Sequence, residues 1–469
     1  MNHTLTPRAR AAALMTRATQ LAFAALLFTS PWMLQWLDVQ RRVEPVFAGY
    51  TDFFVYPSDL FLGLTVGLGL LRPFVEGPRF KRGPWYFFFP LVALVALGLA
   101  STLVSVDPAL TLYHSVRLLF FFGLYLALVN TPLRAEWVAV PLALAVLIQS
   151  SVAILQFAKQ ASIGLQALGE LSLNPAETGL GILRYDDVRI LRAYGLTDHP
   201  NLLGGFIAFA LVYILGYYLH PAHGRARYLF LAPLALGIVA LFFTFSRSAE
   251  LAFGIAAALM VLALLRDQAT RRLRTRDVGI AVALCALLLI LPVVGNQRLL
   301  AQRVGLANAF VENFNEARSL GERDELMESA NRIFYQRQLL GVGNGALALG
   351  MFYLDNEFPR DQYFIQPAHL VVLDVAAEFG ILGGFVWFWL MLAPLAVMWQ
   401  KRAGLMSNAW CAAIAAAVVV TLVVGLFDYY TWFWQSGRIW QWSAWGLFAA
   451  VFANPAVSTN NAIELHRDE

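Results

Sequence analysis

Apolar stretches of about twenty residues, nearly free of charge, recur about a dozen times along this 469-residue chain. The run Asn201–Leu219 contains no Asp, Glu, Lys or Arg, and neither does Val278–Gly295. Such segments are solvated by a bilayer, and in hydrocarbon a helix satisfies every backbone polar group within its own segment. Hydrophobic residues make up 59% of the chain and charged residues only 14%, against about a quarter in soluble domains. The expected fold class is therefore all-α and integral to a membrane. A net charge of +4 spread over so apolar a chain points to membrane lipids as partners, and no nucleic-acid partner is expected.

About twelve spans are expected, beginning near Gln20, Pro57, Trp85, Leu112, Glu136, Asn201, Tyr228, Ser248, Val278, Leu370, Asn408 and Gly437. The organisation that follows is spans 1–9 over residues 1–296, with an outer loop near 159–200. A long outer loop occupies 297–368, spans 10–12 occupy 369–454, and a polar tail covers 455–469. The first apolar run follows Arg8, Arg10 and Arg17, and Pro31 and Trp32 interrupt it. With no small-residue cleavage site after it, it reads as an uncleaved span. Cys285 and Cys411 lie inside apolar runs, which leaves no cysteine framework for a disulfide or zinc site.

Basic residues in short loops set the orientation. With the N-terminus inside, the inner loops collect Arg72, Arg79, Lys81 and Arg82, then Arg134, Arg225 and Arg227, five arginines from Arg266 to Arg276, and Lys401 and Arg402. The outer loops hold Asp107 and Asp428, with Arg41 and Arg42 as exceptions. Both termini are expected on the cytoplasmic side. Within the long outer loop, Leu320–Leu339 reads as an amphipathic helix, because Leu326, Ala330, Ile333 and Phe334 recur at helical spacing. Its apolar stripe is expected to lie on the outer membrane surface, and Gly341-Val342-Gly343-Asn344-Gly345 is expected to stop it.

The polar residues that interrupt this pattern are the candidates for chemistry. Arg247, in Thr-Phe-Ser-Arg-Ser, sits between two apolar runs with almost no spacer. A guanidinium at a bilayer rim either snorkels to any headgroup or clamps phosphate through its planar fork, with Ser246 adding a hydroxyl. Arg323 opens the amphipathic helix among Glu322, Asp324 and Glu325, so a solvated ion-paired face and an anion ligand both remain open. Arg332 and Arg337 stand further along it. His369 begins the tenth span, either as an interfacial histidine bonded to backbone or as a general base, since imidazole titrates near operating pH. Asp374 and Glu378 follow five and nine residues later, off its helical face.

Arg192 and His199 precede the sixth span, where Asp198 or Asn201 is the expected helix cap. Adjacent Asp198 and His199 diverge too far for a metal site, and no metal is expected. Arg117 lies inside the fourth span near its outer end. Asp428 opens an aromatic stretch through Trp434 that suits an interfacial belt or sugar stacking. The Gly341–Gly345 turn lacks the Lys-Ser/Thr of a nucleotide loop, leaving it a helix stop with a minor role as an anion nest.

Read together and in order, these motifs resemble the O-antigen ligase and polymerase superfamily of bacterial membrane glycosyltransferases. Thr-Phe-Ser-Arg247-Ser-Ala is similar to its end-of-span motif. Glu322-Arg323 through Gly341-Val342-Gly343-Asn344-Gly345 resembles its outer helix and glycine turn. Gln366-Pro-Ala-His369-Leu through Glu378-Phe-Gly380-Ile-Leu-Gly383 resembles its histidine signature. Leu370 departs from the pattern, replacing the common Asn. The match is strongest between Arg192 and Gly384.

The resemblance implies a multispanning, GT-C-like fold acting on a glycan carried by undecaprenyl diphosphate. His369, Arg247 and Arg323 would be catalytic, and Arg192, His199, Arg117, Ser246, Arg332, Glu378 and Asp428 would bind substrate. It further implies inverting, metal-independent transfer with no cofactor, on the periplasmic side of the bacterial inner membrane. The acceptor would be a lipid A core sugar for a ligase, or a growing glycan for a polymerase of O-antigen or exopolysaccharide. A protein O-oligosaccharyltransferase and a lipid or solute transporter are the more distant alternatives. The clustering of arginines towards one face supports a diphosphate donor, whose departure needs its charge stabilised.

Overall fold

The computed structural model describes residues 6–41, 43–77, 80–177, 179–185, 188–303, 314–357 and 365–452. The polar tail, parts of the long outer loop and Arg79 thus lie outside the described residues. The chain is all-α apart from two short hairpins. Five helices come first: α1 (Pro7–Thr29), α2 (Pro57–Glu76), α3 (Trp85–Ser101), α4 (Pro108–Asn130) and α5 (Glu136–Lys159). After a longer connection come α6 (Pro200–Tyr218), α7 (Leu231–Thr244), α8 (Arg247–Leu264) and α9 (Arg271–Gly295). The long loop then contributes α10 (Gln297–Arg303), α11 (Phe314–Gln336) and α12 (Leu347–Leu354). The chain returns through α13 (Val371–Gln400), the short α14 (Arg402–Ser407), α15 (Ala409–Gly425) and α16 (Gln435–Phe452).

Among the described residues nine helices are long and apolar enough to cross a membrane, counting α7 with the 3-10 turn before it. α3 and α15 are shorter apolar helices. With α16 these stand at the twelve expected positions. The first helix begins earlier than its apolar run, at Pro7, because Thr6 caps it by accepting the Ala9 amide at 3.3 Å.

α6 is the central helix, with 94% of its span buried. It packs against α5, α7, α8, α15 and α16. Gly205 permits the close approach of the loop between α15 and α16, since a Cβ there would lie 2.2 Å from the Tyr430 hydroxyl. α9 is the opposite case: apolar beyond Asp277, it fully buries only Arg274, Asp277 and Ala281, and residues such as Val278, Cys285 and Leu289 are only partly covered by the bundle.

The hairpins, β1 (Leu37–Val39) with β2 (Phe53–Val55) and β3 (Ile182–Tyr185) with β4 (Val188–Leu191), were not expected. They are too short for their alternation to stand out in so apolar a chain.

Two further departures shape the site. The stripe of α11 is not laid on the membrane: Leu326, Ala330 and Ile333 are fully buried against α12 and the first half of α13. Protein packing takes the place of lipid because α12 and the glycine turn form an apolar partner of their own. In addition, α13 is broken at Gly380, at φ 75° and ψ −170°. The glycine turn fills the gap, with the Val342 and Gly343 amides donating to the carbonyls of Ala377 and Glu378 at 3.0 and 3.1 Å. Ile381 N–H donates to the Gln338 carbonyl at 2.8 Å. Irregular backbone at membrane depth is tolerated where protein satisfies it in this way.

Candidate active site

Four segments far apart in sequence meet at the end of the bundle where α6, α8 and α13 begin. Helix N-termini carry unpaired amides and a partial positive charge, so this end favours anions. Arg192, half-buried just after β4, donates from Nε to the Thr244 carbonyl at 2.6 Å and from Nη2 to Asn201 Oδ1 at 2.5 Å. Asn201 Nδ2 donates to Asp428 Oδ2 at 2.8 Å, and the other carboxylate oxygen receives the Tyr429 amide at 2.9 Å. The result is a continuous chain Arg192–Asn201–Asp428 across three segments.

His369 stands beside this chain, two residues before α13 rather than within it. Its ring meets Tyr429 edge-on, with centroids 5.3 Å apart at 87°. Tyr429 is fixed in turn, donating to Gln366 Oε1 at 3.0 Å and meeting the Tyr50 hydroxyl at 2.5 Å. Burial drives the His369 pKa down, Asp428 opposes that shift, and Arg323 reinforces it, leaving a value of about 4. The imidazole is therefore neutral at pH 7. Its Nδ1 is enclosed by protein, which leaves Nε2 as the nitrogen facing the recess.

His199 lies in the same recess. Its ring is reached by solvent, yet the surrounding protein lowers its pKa to about 3, with Arg192, His369 and Arg323 adding to the shift. It is the cap of α6, because Nδ1 accepts the Asn201 amide at 3.1 Å. This corrects the expectation of Asp198 or Asn201. Pro200 occupies the first helical position, so the residue before it is the one whose side chain reaches back. With Nδ1 accepting, Nε2 bears the proton and serves as a donor. Asp198, half-buried and electrostatically coupled to Tyr56, is raised by burial to about 7.

Arg247 is the first residue of α8 and is exposed. The turn before it is tight: Phe245 adopts a left-handed φ of 47°, which costs a non-glycine residue about 1–2 kcal/mol. Ser246 is 2% exposed, with its hydroxyl 3.4 Å from that of Ser248, so it supports the turn from inside. Arg323, half-buried on α11, is the group whose charge reaches both histidines.

Three of the anticipated residues are engaged elsewhere. Arg117 is paired with Asp59 at 2.7 Å and bonded to the Phe54 carbonyl and the Tyr113 hydroxyl. Arg332 grips Asp355 through Nε and Nη2 at 2.8–3.0 Å, with Glu328 and Glu357 nearby. Glu378 is fully buried and accepts from Trp432 Nε1 at 2.8 Å, while the amides of Gly345 and Leu347 also point at it. The end of the glycine turn thus faces the chain's own Glu378 carboxyl group, with no room left for an external anion there.

Asn201, Tyr50, Tyr429 and Gln366 are site residues that the sequence did not single out as such. Asn201 carried a signal as a helix cap, Tyr429 as part of the aromatic stretch that Asp428 opens and Gln366 as part of the histidine motif, whereas Tyr50 carried none.

Residues 232–388 match the family model described as O-antigen ligase. This part of the chain is similar to the O-antigen ligase family. The match runs from α7 into α13 and takes in Arg247, Arg323 and His369, whereas Arg192, His199 and Asp428 lie outside it and reach the same recess by folding. It supports a membrane protein of O-antigen ligase or polymerase type acting on a lipid-linked glycan. No curated protein matches the chain. A solved chain described under "Structural coordination of polymerization and crosslinking by a peptidoglycan synthase complex" aligns over 79% of this chain and 97% of its own. Its identity is 16% and its TM-score 0.38, too low to carry an argument.

Proposed function

We propose that the protein is an O-antigen ligase that moves a glycan from undecaprenyl diphosphate to a sugar hydroxyl of the lipid A core. Transfer takes place on the periplasmic side of the inner membrane. The observation that carries this reading is a neutral histidine, His369, set beside Asp428 at an end of the bundle where Arg192, Arg247 and Arg323 gather. In the proposed step, His369 Nε2 takes the acceptor hydroxyl proton as the acceptor oxygen attacks the anomeric carbon. The bond from that carbon to the diphosphate oxygen breaks on the opposite face, so the centre inverts.

The departing diphosphate gains negative charge. Arg247 and Arg323 offer planar forks matched to phosphate oxygens, and His199 Nε2–H adds a neutral donor. Because guanidinium groups stabilise the leaving group, the proposed transfer is metal-independent. Asp428 stabilises the imidazolium as it forms, and Arg192 and Asn201 hold Asp428 in place. Tyr50, Tyr429 and Gln366, bonded to one another and largely buried, brace the His369 ring towards the acceptor.

Lipopolysaccharide ladders from cells with and without the gene test the assignment. Loss of all O-antigen-capped chains supports the ligase. Retention of cores capped with a single repeat refutes it and assigns a polymerase.

A further inference from the structure

One carboxyl group at the edge of the recess has no partner in the chain. Asp198 is half-buried, and among the described residues it makes neither a hydrogen bond nor an ion pair. Its oxygens are not sealed inside the protein. The backbone that carries it is nevertheless firmly built. Thr197, fully buried, directs its hydroxyl at the carbonyls of Tyr194 and His199, at 2.8 and 3.0 Å. The Leu196 amide donates to Gln149 Oε1 at 2.7 Å. Withdrawing a carboxyl from water without a partner is costly, so one held in this way points to a ligand.

Asp198 faces the segment that enters α2. Its charge acts on the Tyr56 phenol more strongly than that of Arg117, whose guanidinium stands 5.8 Å from the Tyr56 ring. Arg117 is itself paired with Asp59 at 2.7 Å. Asp59 Oδ1 also accepts from Gln435 Nε2, at 2.6 Å, at the start of α16. Gln435 is 5% exposed, and its side-chain oxygen is enclosed without a donor among the described residues. Asp198 and Gln435 thus bring two unused accepting groups to the surroundings of Tyr56, where α2, α6 and α16 begin.

We infer that Asp198 and the Gln435 side-chain oxygen bind hydroxyl groups of the sugar ring that enters the transfer step, an inference that rests on the glycosyl-transfer reading above. A phosphate does not suit this place, because Asp198 and Asp59 would repel it. An ammonium group needs Asp198 ionised, whereas burial raises it to about 7 and divides it between two forms at neutrality. A hydroxyl both donates and accepts, so it pairs with either form. Asp198 adjoins His199, whose Nε2–H is assigned to the departing diphosphate, so a ring held here lies beside the reacting carbon. That ring belongs to the acceptor or is the first sugar of the donor, and kinetics separates the two.

The test uses purified full-length protein in detergent, with lipid-linked donor and two acceptors, a core oligosaccharide and a lipid-linked repeat unit. The acceptor that wild type uses decides between ligase and polymerase without reference to Asp198. Transfer to neither would refute the glycosyl-transfer reading and this inference with it. On the acceptor used, Asp198→Ala should raise one KM about tenfold or more, as expected for losing a hydrogen bond to a charged group, and change kcat less. A raised acceptor KM places the acceptor ring at Asp198, and a raised donor KM places the donor's. Asp198→Asn keeps an accepting oxygen and should recover most of the loss. Substrates that each lack one hydroxyl of the affected ring supply the decisive comparison. One of them should raise KM with wild type and raise it no further with Asp198→Ala, so that the two losses do not add. Losses that add for every hydroxyl, or both KM values unchanged in Asp198→Ala, would overturn the assignment. Asp198 holds no other side chain in place, so its removal orphans no partner. Should the alanine variant unfold earlier than wild type, the isosteric Asp198→Asn carries the same comparison.

Discussion

The acidic limb of the pH–rate profile is the most exposing test of the proposed chemistry. A base must be neutral to act, so activity is present above the pKa of His369 and lost below it. For the free enzyme that pKa is about 4, lowered first by burial and then by Arg323, against the pull of Asp428. An ordinary imidazole with a pKa of roughly 6.5 would be only about 9% neutral at pH 5.5, whereas one at 4 would be about 97% neutral. At pH 5.5 kcat/KM should therefore remain near its plateau, about tenfold above what an unperturbed histidine allows.

Two variants should move the limb in opposite directions. Asp428→Asn removes the neighbour that favours imidazolium and should lower the apparent pKa, while Arg323→Gln should raise it. Asp198, raised to about 7, is a competing titration in the same recess, and Asp198→Asn identifies any inflection near neutrality that belongs to it. The assay is transfer from purified lipid-linked donor to a soluble core-sugar acceptor, at saturating and limiting donor.

Folding must be followed in parallel. His369 at about 4 and His199 at about 3 bind protons less readily folded than unfolded, so stability falls as pH drops from about 6.5 through those values. Rates are accordingly expressed per folded molecule. Half-loss of kcat/KM near pH 6.5 in both wild type and Asp198→Asn would refute the burial argument. An unaltered limb in His369→Ala would remove the base itself.

Other outcomes follow from the same geometry. Arg247→Ala and Arg247→Lys should each cut turnover about 10²–10³-fold while leaving folded protein in the membrane, since lysine keeps the charge and loses the fork. Near-wild-type turnover of the alanine variant would exclude the clamp. Single cysteines at Gly179 and Asn356 should react with an impermeant thiol reagent from outside intact spheroplasts, and those at Thr275 and Arg82 should not. Labelling at Thr275 would invert the orientation and move the site out of the periplasm. Gly380→Ala should lower stability by about 2 kcal/mol or more, read as a fall in the unfolding midpoint. Its φ is +75°, and a Cβ there would lie 2.3 Å from the Leu339 carbonyl oxygen, so a midpoint equal to wild type would show that the break in α13 is not required.

The spans, their order and the crowding of arginine near one end were legible residue by residue. A bilayer imposes a slab of fixed thickness, and hydropathy along the chain records how often the chain crosses it, whatever the helices later touch. Arg247, Arg323 and His369 stood out for a related reason, as polar groups placed at the edges of apolar runs. What those groups face is a different kind of fact. Asn201 reaches Asp428 across 227 positions, and Arg192 reaches Thr244 across 52; neither pairing leaves a period or a spacing to read.

Helix packing also decided that Arg117 and Arg332 are spent on Asp59 and Asp355, and that the end of the glycine turn faces Glu378. A guanidinium looks the same in a sequence whether its partner is a substrate phosphate or a carboxylate of its own chain. Local polarity against a fixed solvent determined the architecture, while complementary packing of segments distant in sequence determined which charges the recess retains.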